Sequence, residues 1–520
     1  MKLEFFDSTL RDGSQSQGIS FSVTDKINIV KVLDEFGIDY IEAGNPGSNP
    51  KDLMFFEEIK SVKLKHSKLC SFGSTCRNTV KVEQDNNIIN LLKSGTPVVA
   101  IFGKSWDLHV TEILKISLED NLRIVSETIS YLKSKGKEVI FDAEHFFDGY
   151  KNNSEYAIKV LQAAYESGAD CLCLCDTNGG TMPFDIEEIT RKVCDRFSGV
   201  RISIHCHNDT GCAVANSLAA VRAGAVQIQG TFIGYGERCG NADLSTILPN
   251  LILKCGYSSH INLENLYNVS RVVAEISNIR IPYNRPYIGK SAFAHKGGMH
   301  VDGVIKLPKS FEHIDPSQVG NRRKFLMSEV SGKSTVLPKL QELVPSLKKN
   351  SPETEMIINE LKNQEFLGYQ YEAADASFDL FVKKQLKIWK PHFNIIFFKT
   401  SDDYPAPSGS LRSSAVIEIE VDGQRTVSGA VGNGPVNALD NALRKALMVF
   451  YPEVRTIELT DFKVRVIDQS STTAARVRVL IDSSDGESVW TTIGVSNDVI
   501  EASFIALVDS FEYKLSRKES

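Results

Sequence analysis

The first half of the chain alternates short β-rich runs with amphipathic stretches. The runs cover residues 3–7, 40–44, 69–74, 98–103, 139–144, 171–176, 201–207 and 226–232. Between the first two, Val23, Ile27, Val30, Leu33 and Phe36 recur three and four apart, the spacing that lines one helix face. Ser22 and Thr24 offer capping groups at its start, and Gly37 stops it. Eight such strand–helix units predict an α/β fold, a (β/α)8 TIM barrel. A doubly wound open sheet shows the same alternation. The strand ends favour the barrel. Asp7, Glu42, Glu144, Asp176, and His205 with His207 all fall at carboxyl ends, the rim where active sites of this fold sit.

Beyond residue 260 the alternation ceases. Pro282, Pro286, Gly289, His295, Gly297, Gly298 and His300 lead into helical stretches, of which 339–362 is charged and proline-interrupted. This predicts a helical connector that folds back over a barrel mouth. Residues 401–410, with Pro405, Pro407, Ser408 and Gly409, read as an exposed loop. From 392 onward a pattern repeats. Runs at 393–399, 415–421 and 426–431 precede a helix over 435–450. Runs at 458–466, 474–481 and 488–495 precede a second helix over 498–514. Such a βββα duplication builds symmetric ligand-binding or dimer domains. The expected organisation is a barrel over 1–265, a helical connector or lid over 266–385, and an α+β regulatory domain over 386–520.

Composition narrows the class. The chain has 520 residues, too many for one core. Hydrophobic residues at 42% and charged residues at 24% are ordinary globular values. A net charge of −6 gives no basic footprint for nucleic acid. No apolar run is long enough to span a bilayer, and the start, Leu3-Glu4-Phe5-Phe6-Asp7, carries no signal-peptide pattern. The ten cysteines all lie between Cys70 and Cys255, which is unlike a secreted disulfide framework. A reducing, cytoplasmic setting is expected.

The candidate chemistry centres on His205-Cys206-His207-Asn208-Asp209. Residues two apart in a strand point to one face, so the two imidazoles aim at one point. Asp12, after the first strand, is a plausible third ligand, and Asn241, past the eighth, can add a neutral oxygen. In a closed barrel the first and eighth strands are neighbours and the seventh is next. Two imidazoles with oxygen ligands and open positions suit Mg²⁺, Mn²⁺, Zn²⁺ or Co²⁺. Arg11 beside Asp12 reads as a fixed cation for an oxyanion, or as a solvated surface residue. The glycines of Gly234-Tyr235-Gly236-Glu237-Arg238-Cys239-Gly240-Asn241 let backbone approach a ligand, or form a simple turn. Cys171, Cys173 and Cys175 read as small apolar side chains on one face of a buried strand, since no CxxC pattern accompanies them.

Three segments carry a family resemblance: Asp7-Ser8-Thr9-Leu10-Arg11-Asp12-Gly13-Ser14-Gln15, His205–Asp209 and Gly234–Asn241. Together they resemble the signatures of the DRE-TIM metallolyase superfamily, and within it the Claisen-type synthases that make isopropylmalate, homocitrate and citramalate. Phe141-Asp142-Ala143-Glu144-His145, Gly236–Asn241 and Val464-Arg465-Val466-Ile467 look most like the long bacterial citramalate branch. Ser8 stands where the family has a second threonine and keeps the hydroxyl. Asp142-Ala143-Glu144-His145 replaces the S-x-E-D of the isopropylmalate branch, which argues against the bulkier keto acid.

The resemblance implies a metal-dependent condensation of acetyl-CoA with pyruvate, giving citramalate and CoA and feeding isoleucine synthesis. The alternative within the family joins acetyl-CoA to 2-ketoisovalerate. Farther rivals are a retro-aldol lyase on the same barrel and a catalytically silent amino-acid-sensing protein. By the same resemblance Asp12, His205, His207 and Asn241 match metal ligands. Arg11 matches the residue polarising the keto oxygen, Gln15 a residue near the substrate, and Glu144 a catalytic carboxylate. Thr177 matches a binder of the keto-acid carboxylate, and His300 with Asp302 match connector residues of base catalysis. A homodimer and feedback by isoleucine on the C-terminal domain are also implied. Gly432-Asn433-Gly434-Pro435-Val436 reads either as a cradle for a carboxylate or as an ordinary strand-to-helix turn.

Overall fold

The computed structural model describes residues 2–326, 333–348, 350–403, 413–467, 475–486 and 488–517. It divides into two compact units: Met1–Phe293 with Ile314–Arg323, and Ala294–His313 with Lys324–Ser520.

The first unit is built on eight parallel strands: β1 Glu4–Asp7, β2 Tyr40–Glu42, β3 Lys68–Ser74, β4 Val98–Lys104, β5 Glu138–Glu144, β6 Cys171–Asp176, β7 Arg201–Cys206 and β8 Gln227–Gly230. Each pairs with the next, and β1 pairs with β8 from Glu4↔Gln227 to Asp7↔Gly230. That last ladder closes the barrel and excludes an open sheet. The helix Val23–Phe36 follows β1 as its pattern predicts. Ser22 caps it, accepting from Asp25 N–H while Asp25 accepts from Ser22 N–H, and Gly37 ends it at φ 101°. Thr24 lies inside the first turn and does not cap. Its apolar face buries Ile29, Val30, Leu33 and Phe36.

Two strands end two residues early. β2 stops at Glu42 because the chain must turn around Asp52: a Cβ on Gly44 (φ 152°) would meet Asp52 Oδ2 at 2.4 Å. β8 stops at Gly230, after which Thr231 N–H donates to Ala242 O instead of to the barrel. The barrel interior is filled, as this fold requires: Phe6, Tyr40, Cys70, Val98, Ala100, Ile140, Cys171, Cys173 and Cys175 pack as one cluster. The helix Leu266–Ile276 buries Leu266, Val269 and Val273 in the same unit's outer core.

The second unit contains the helices Gly298–Lys306, Lys333–Leu343, Pro352–Phe366 and Asp375–Gln385, and a two-residue parallel pair, β9 Ala294–His295 with β10 Lys324–Phe325. Two three-stranded antiparallel sheets follow. The first is β11 Asn394–Asp402, β12 Ser413–Val421 and β13 Gln424–Gly432, leading into the helix Pro435–Leu447. The second is β14 Glu458–Val466, β15 Val477–Ser484 and β16 Val489–Ser496, leading into the helix Val499–Ser516. This is the βββα repeat. In both copies a glycine late in the third strand lets the helix backbone come close. A Cβ would lie 2.5 Å from Ala438 N at Gly432, and 1.9 Å from Ala502 O at Gly494. β11 extends to Asp402, into the predicted loop, whose positions 404–410 lie outside the described residues. Among the described residues no helix is long and apolar enough to cross a membrane.

Candidate active site

The turn after β1 and the end of β7 bring three buried side chains together. Asp12 Oδ2 lies 3.3 Å from His205 Nε2 and 3.9 Å from His207 Nε2. The two Nε2 atoms are 3.4 Å apart. One ligand atom from each residue lies within 4.8 Å of the others. His205 is in β7, but His207 falls one residue past it, in an antiparallel bridge with Asn241. Bridge partners set their side chains side by side. Asn241 donates from Nδ2 to Tyr235 O at 3.0 Å, while its buried Oδ1 has no hydrogen-bond partner among the described residues.

That orphaned oxygen tests the fit for a cation. A buried acceptor left bare is destabilising unless something electropositive meets it. One carboxylate, two imidazole nitrogens and an amide oxygen form a mixed nitrogen–oxygen set that suits a divalent metal. These four residues fit the ion that the family resemblance implies.

The charges in this cluster are strongly coupled. Burial opposes the charge on Asp12, but Arg11 and the two histidines outweigh it and hold the carboxyl far below its usual range. Burial also opposes the charged form of His205, yet the hydrogen bond and charge of Asp12 raise its pKa. His207 goes the other way: burial and then the neighbouring His205 lower it to about 4. At neutral pH His207 therefore presents an unprotonated ring.

The glycine-rich loop after β8 has a structural cause. A Cβ on Gly236 (φ 157°) would meet Asn241 Nδ2 at 2.2 Å, and one on Gly240 would meet Gly234 O at 2.0 Å. These glycines make room for the loop to wrap its own Asn241. Arg238 pins the loop, donating from Nε and Nη2 to both carboxylate oxygens of Asp209 and from Nη2 to Thr177 O at 2.8 Å.

Arg11 is fixed beside this cluster. Its Nε donates to Glu42 Oε2 at 2.7 Å, its Nη1 lies 3.3 Å from Asp12 Oδ2, and its guanidinium carbon sits 3.7 Å from the Phe72 ring centroid. The Ser8 hydroxyl also donates to Glu42 Oε2, which accounts for a hydroxyl at that position. Thr177 Oγ1 accepts the His145 N–H at 2.8 Å, so its own proton remains to be given to a ligand. His145 itself sits at φ 58°, in the left-handed region. Glu144, at the end of β5, is paired with Lys104 from the end of β4. Gln15 closes the short turn Gly13–Gln15 and is exposed.

Three residues without an assigned role in the sequence reading complete the site. Glu42 orients Arg11. Gln229 in β8 places Oε1 3.1 Å from His205 Nδ1, and its Nε2 donates to Asp142 Oδ1 at 3.1 Å. A hydrogen bond at Nδ1 leaves Nε2 as the ligand nitrogen and fixes the ring plane. The available signal was polar residues alternating in apolar strands: Gln227 and Gln229 in β8, and Asp142 two before Glu144 in β5.

His300 and Asp302 belong to the second unit. His300 is exposed on the helix Gly298–Lys306, its ring 4.4 Å from that of Phe311. Residues two apart on a helix do not share a face. Asp302 pairs with Lys306 one turn on, at 2.5 Å. His295, given no role, is buried with Nε2 3.0 Å from Glu312 Oε1.

The HMGL-like family matches residues 2–273, the homocitrate synthase post-HMGL domain-like family matches 287–365, and the LeuA allosteric (dimerisation) domain matches 372–515. An (R)-citramalate synthase of Aquifex aeolicus is 51% identical over 520 residues, covering 100% of this chain and 98% of its own. One from Geobacter sulfurreducens is 48% identical over 99% of this chain and 98% of its own. A probable 2-isopropylmalate synthase of Methanopyrus kandleri is more distant, at 30% over 98% of this chain and 97% of its own. With a closed barrel, this rim and full-length identity of this order, the chain belongs to the HMGL-like family and, within it, to the (R)-citramalate synthases.

Proposed function

We propose that this enzyme condenses acetyl-CoA with pyruvate to give citramalate and CoA. The observation that carries the reading is the convergence of Asp12, His205 and His207 at the barrel rim with Arg11 fixed beside them. Asp12, His205, His207 and Asn241 would hold a divalent cation, Mg²⁺, Mn²⁺, Zn²⁺ or Co²⁺, which when bound supplies Lewis-acid polarisation of a keto group. Arg11, held by Glu42, places positive charge where the keto oxygen becomes an alkoxide. Thr177 donates a hydrogen bond from its hydroxyl to the keto-acid carboxylate, its oxygen already accepting from His145 N–H, and Gln15 flanks the same substrate. A base from the connector of a partner chain, His300 oriented by Asp302 or helped by Glu144, removes a methyl proton from acetyl-CoA; the enolate attacks the keto carbon, and water then cleaves the thioester.

The barrel over 1–265 is the catalytic part in this reading, 266–385 a lid, and 386–520 a regulatory part through which the chain dimerises and responds to isoleucine. The match of 372–515 to an allosteric dimerisation domain supports the last assignment.

The test is CoA release, read with a thiol dye, from purified protein, a divalent cation and a panel of keto acids. Release with pyruvate and not with 2-ketoisovalerate is expected. The opposite preference makes it a 2-isopropylmalate synthase, and no release from any keto acid overturns the enzymatic reading. Substituting His207→Ala should lower turnover by orders of magnitude with the fold intact.

A further inference from the structure

A second cluster of metal-ligand atoms lies inside the barrel. Asp142 and Cys173 are register partners on β5 and β6, and Cys175 is two residues along β6, so all three side chains turn to the same side. Their ligand atoms lie within 4.8 Å of one another, and the two sulfurs are 4.0 Å apart. Tetrahedral zinc with bonds of about 2.3 Å to sulfur sets two thiolates about 3.8 Å apart, so the cluster needs only small rotations to close on an ion.

The chemistry of the set differs from that of the rim cluster. Two soft sulfurs beside a single hard carboxylate oxygen select zinc-like ions over magnesium. Both thiols are held in the protonated form. The hydrogen bond with Cys173 draws the Cys175 thiol down, but burial together with the charges of Asp142 and Glu144 outweighs it and leaves it up at about 11; burial holds Cys173 well above its ordinary value. Cys171 continues the row but lies deeper, its sulfur 3.7 Å from Gln227 Oε1. Cys175 is 5% exposed whereas Cys171 and Cys173 are fully covered, so the cluster is reached from the Cys175 end.

We propose that Asp142, Cys173 and Cys175 form a site for a thiophilic divalent cation, zinc or cadmium, separate from the Asp12–His205–His207 cluster. Binding forms two metal–sulfur bonds and one metal–oxygen bond. It releases the two thiol protons to solvent and transfers no electrons, so the site loads more tightly as pH rises. The cysteine row that looks merely apolar in sequence acquires its third ligand from the neighbouring strand.

The probe is Cd²⁺, titrated into the full chain kept in excess Mg²⁺, with the ultraviolet thiolate-to-cadmium absorption as the signal. The exposed Cys239 and Cys255 and the half-buried Cys194 and Cys212 are first replaced by serine to remove competing thiols. The expected result is a band that saturates at one equivalent, is suppressed by prior Zn²⁺, and survives His207→Ala. Cys173→Ser and Cys175→Ser, made separately in case one fails to fold, should each lower it at least two-fold. No band, or a band untouched by both serine variants, overturns the proposal. Because the readout is thiolate absorption and not CoA release, its failure leaves the keto-acid reading standing.

Discussion

Arg11 donates through Nε to Glu42 Oε2 at 2.7 Å while its guanidinium lies 3.7 Å from the centroid of the Phe72 ring. A planar cation clamped by a carboxylate at one edge and an aromatic face is preorganised, and a lysine, a point charge without the planar fork, cannot stack on the ring and hold both carboxylates together. Arg11→Lys should lower kcat by on the order of 100-fold with a small change in the KM for the keto acid. Glu42→Gln should lower it less, because the side chain keeps its shape and loses only its charge. Steady-state CoA release measures both; equal kcat in wild type and Arg11→Lys would remove Arg11 from the chemistry.

Gln229 stands between His205 and Asp142, so its loss should be felt by a cation rather than by the fold. Gln229→Met should weaken divalent-metal affinity roughly 10–100-fold while leaving the melting temperature of the metal-free protein within a few degrees. Isothermal titration with Mn²⁺ reads the first, and a thermal melt in chelator the second.

The depressed pKa of His207 sets a pH dependence in the metal-free protein. The unfolded ring binds a proton near 6.5 and the folded ring near 4, so between these values the unfolded state holds more protons. Stability attributable to His207 is therefore complete above about pH 6.5 and is lost as pH falls toward 4. Between about pH 7 and about pH 5 the loss should be about 2 kcal/mol. His205 shifts upward and acts above pH 6.5, while burial raises the Asp7 and Asp142 carboxyls to about 7 and about 6, so these two gain stability over the same fall in pH. Urea unfolding in chelator therefore reads His207 as a difference: wild type should lose about 2 kcal/mol relative to His207→Gln between about pH 7 and about pH 5.

Lys26 is buried under the turn that follows β2, donating to Ala43 O at 2.8 Å and to Asp52 Oδ1 at 2.5 Å. Asp52 in turn accepts the Asn45 N–H at 2.8 Å. Removing the cation strands a buried carboxylate, so Lys26→Met should destabilise the first unit by about 3–5 kcal/mol. Adding Asp52→Asn should recover much of that loss, because no charge is then left uncompensated. Denaturant midpoints of the two variants decide it.

Much of the fold was legible along the chain. The helix Val23–Phe36, the β6 run Cys171–Asp176 and the βββα duplication follow from periodicity, since burial of one face forces apolar residues to recur at the spacing of the element. The convergence of Asp12, His205 and His207 was legible because each lies at or just past a strand end in a short, unusual motif. The roles of Gln229, Glu42 and Asp142 were not, because each acts on a residue of another element 24 to 87 positions away.

Local sequence therefore determined which elements form and which side chains gather at the carboxyl rim, through side-chain periodicity and strand ends. Tertiary closure decided the rest. Only the β1–β8 ladder ruled out an open sheet. Only the wrap of Gly236 around Asn241 left an oxygen bare beside His207, and only the β5–β6 register put Asp142 against Cys173. Those outcomes depend on which strands become neighbours, and periodicity along one strand carries no information about the partner across it.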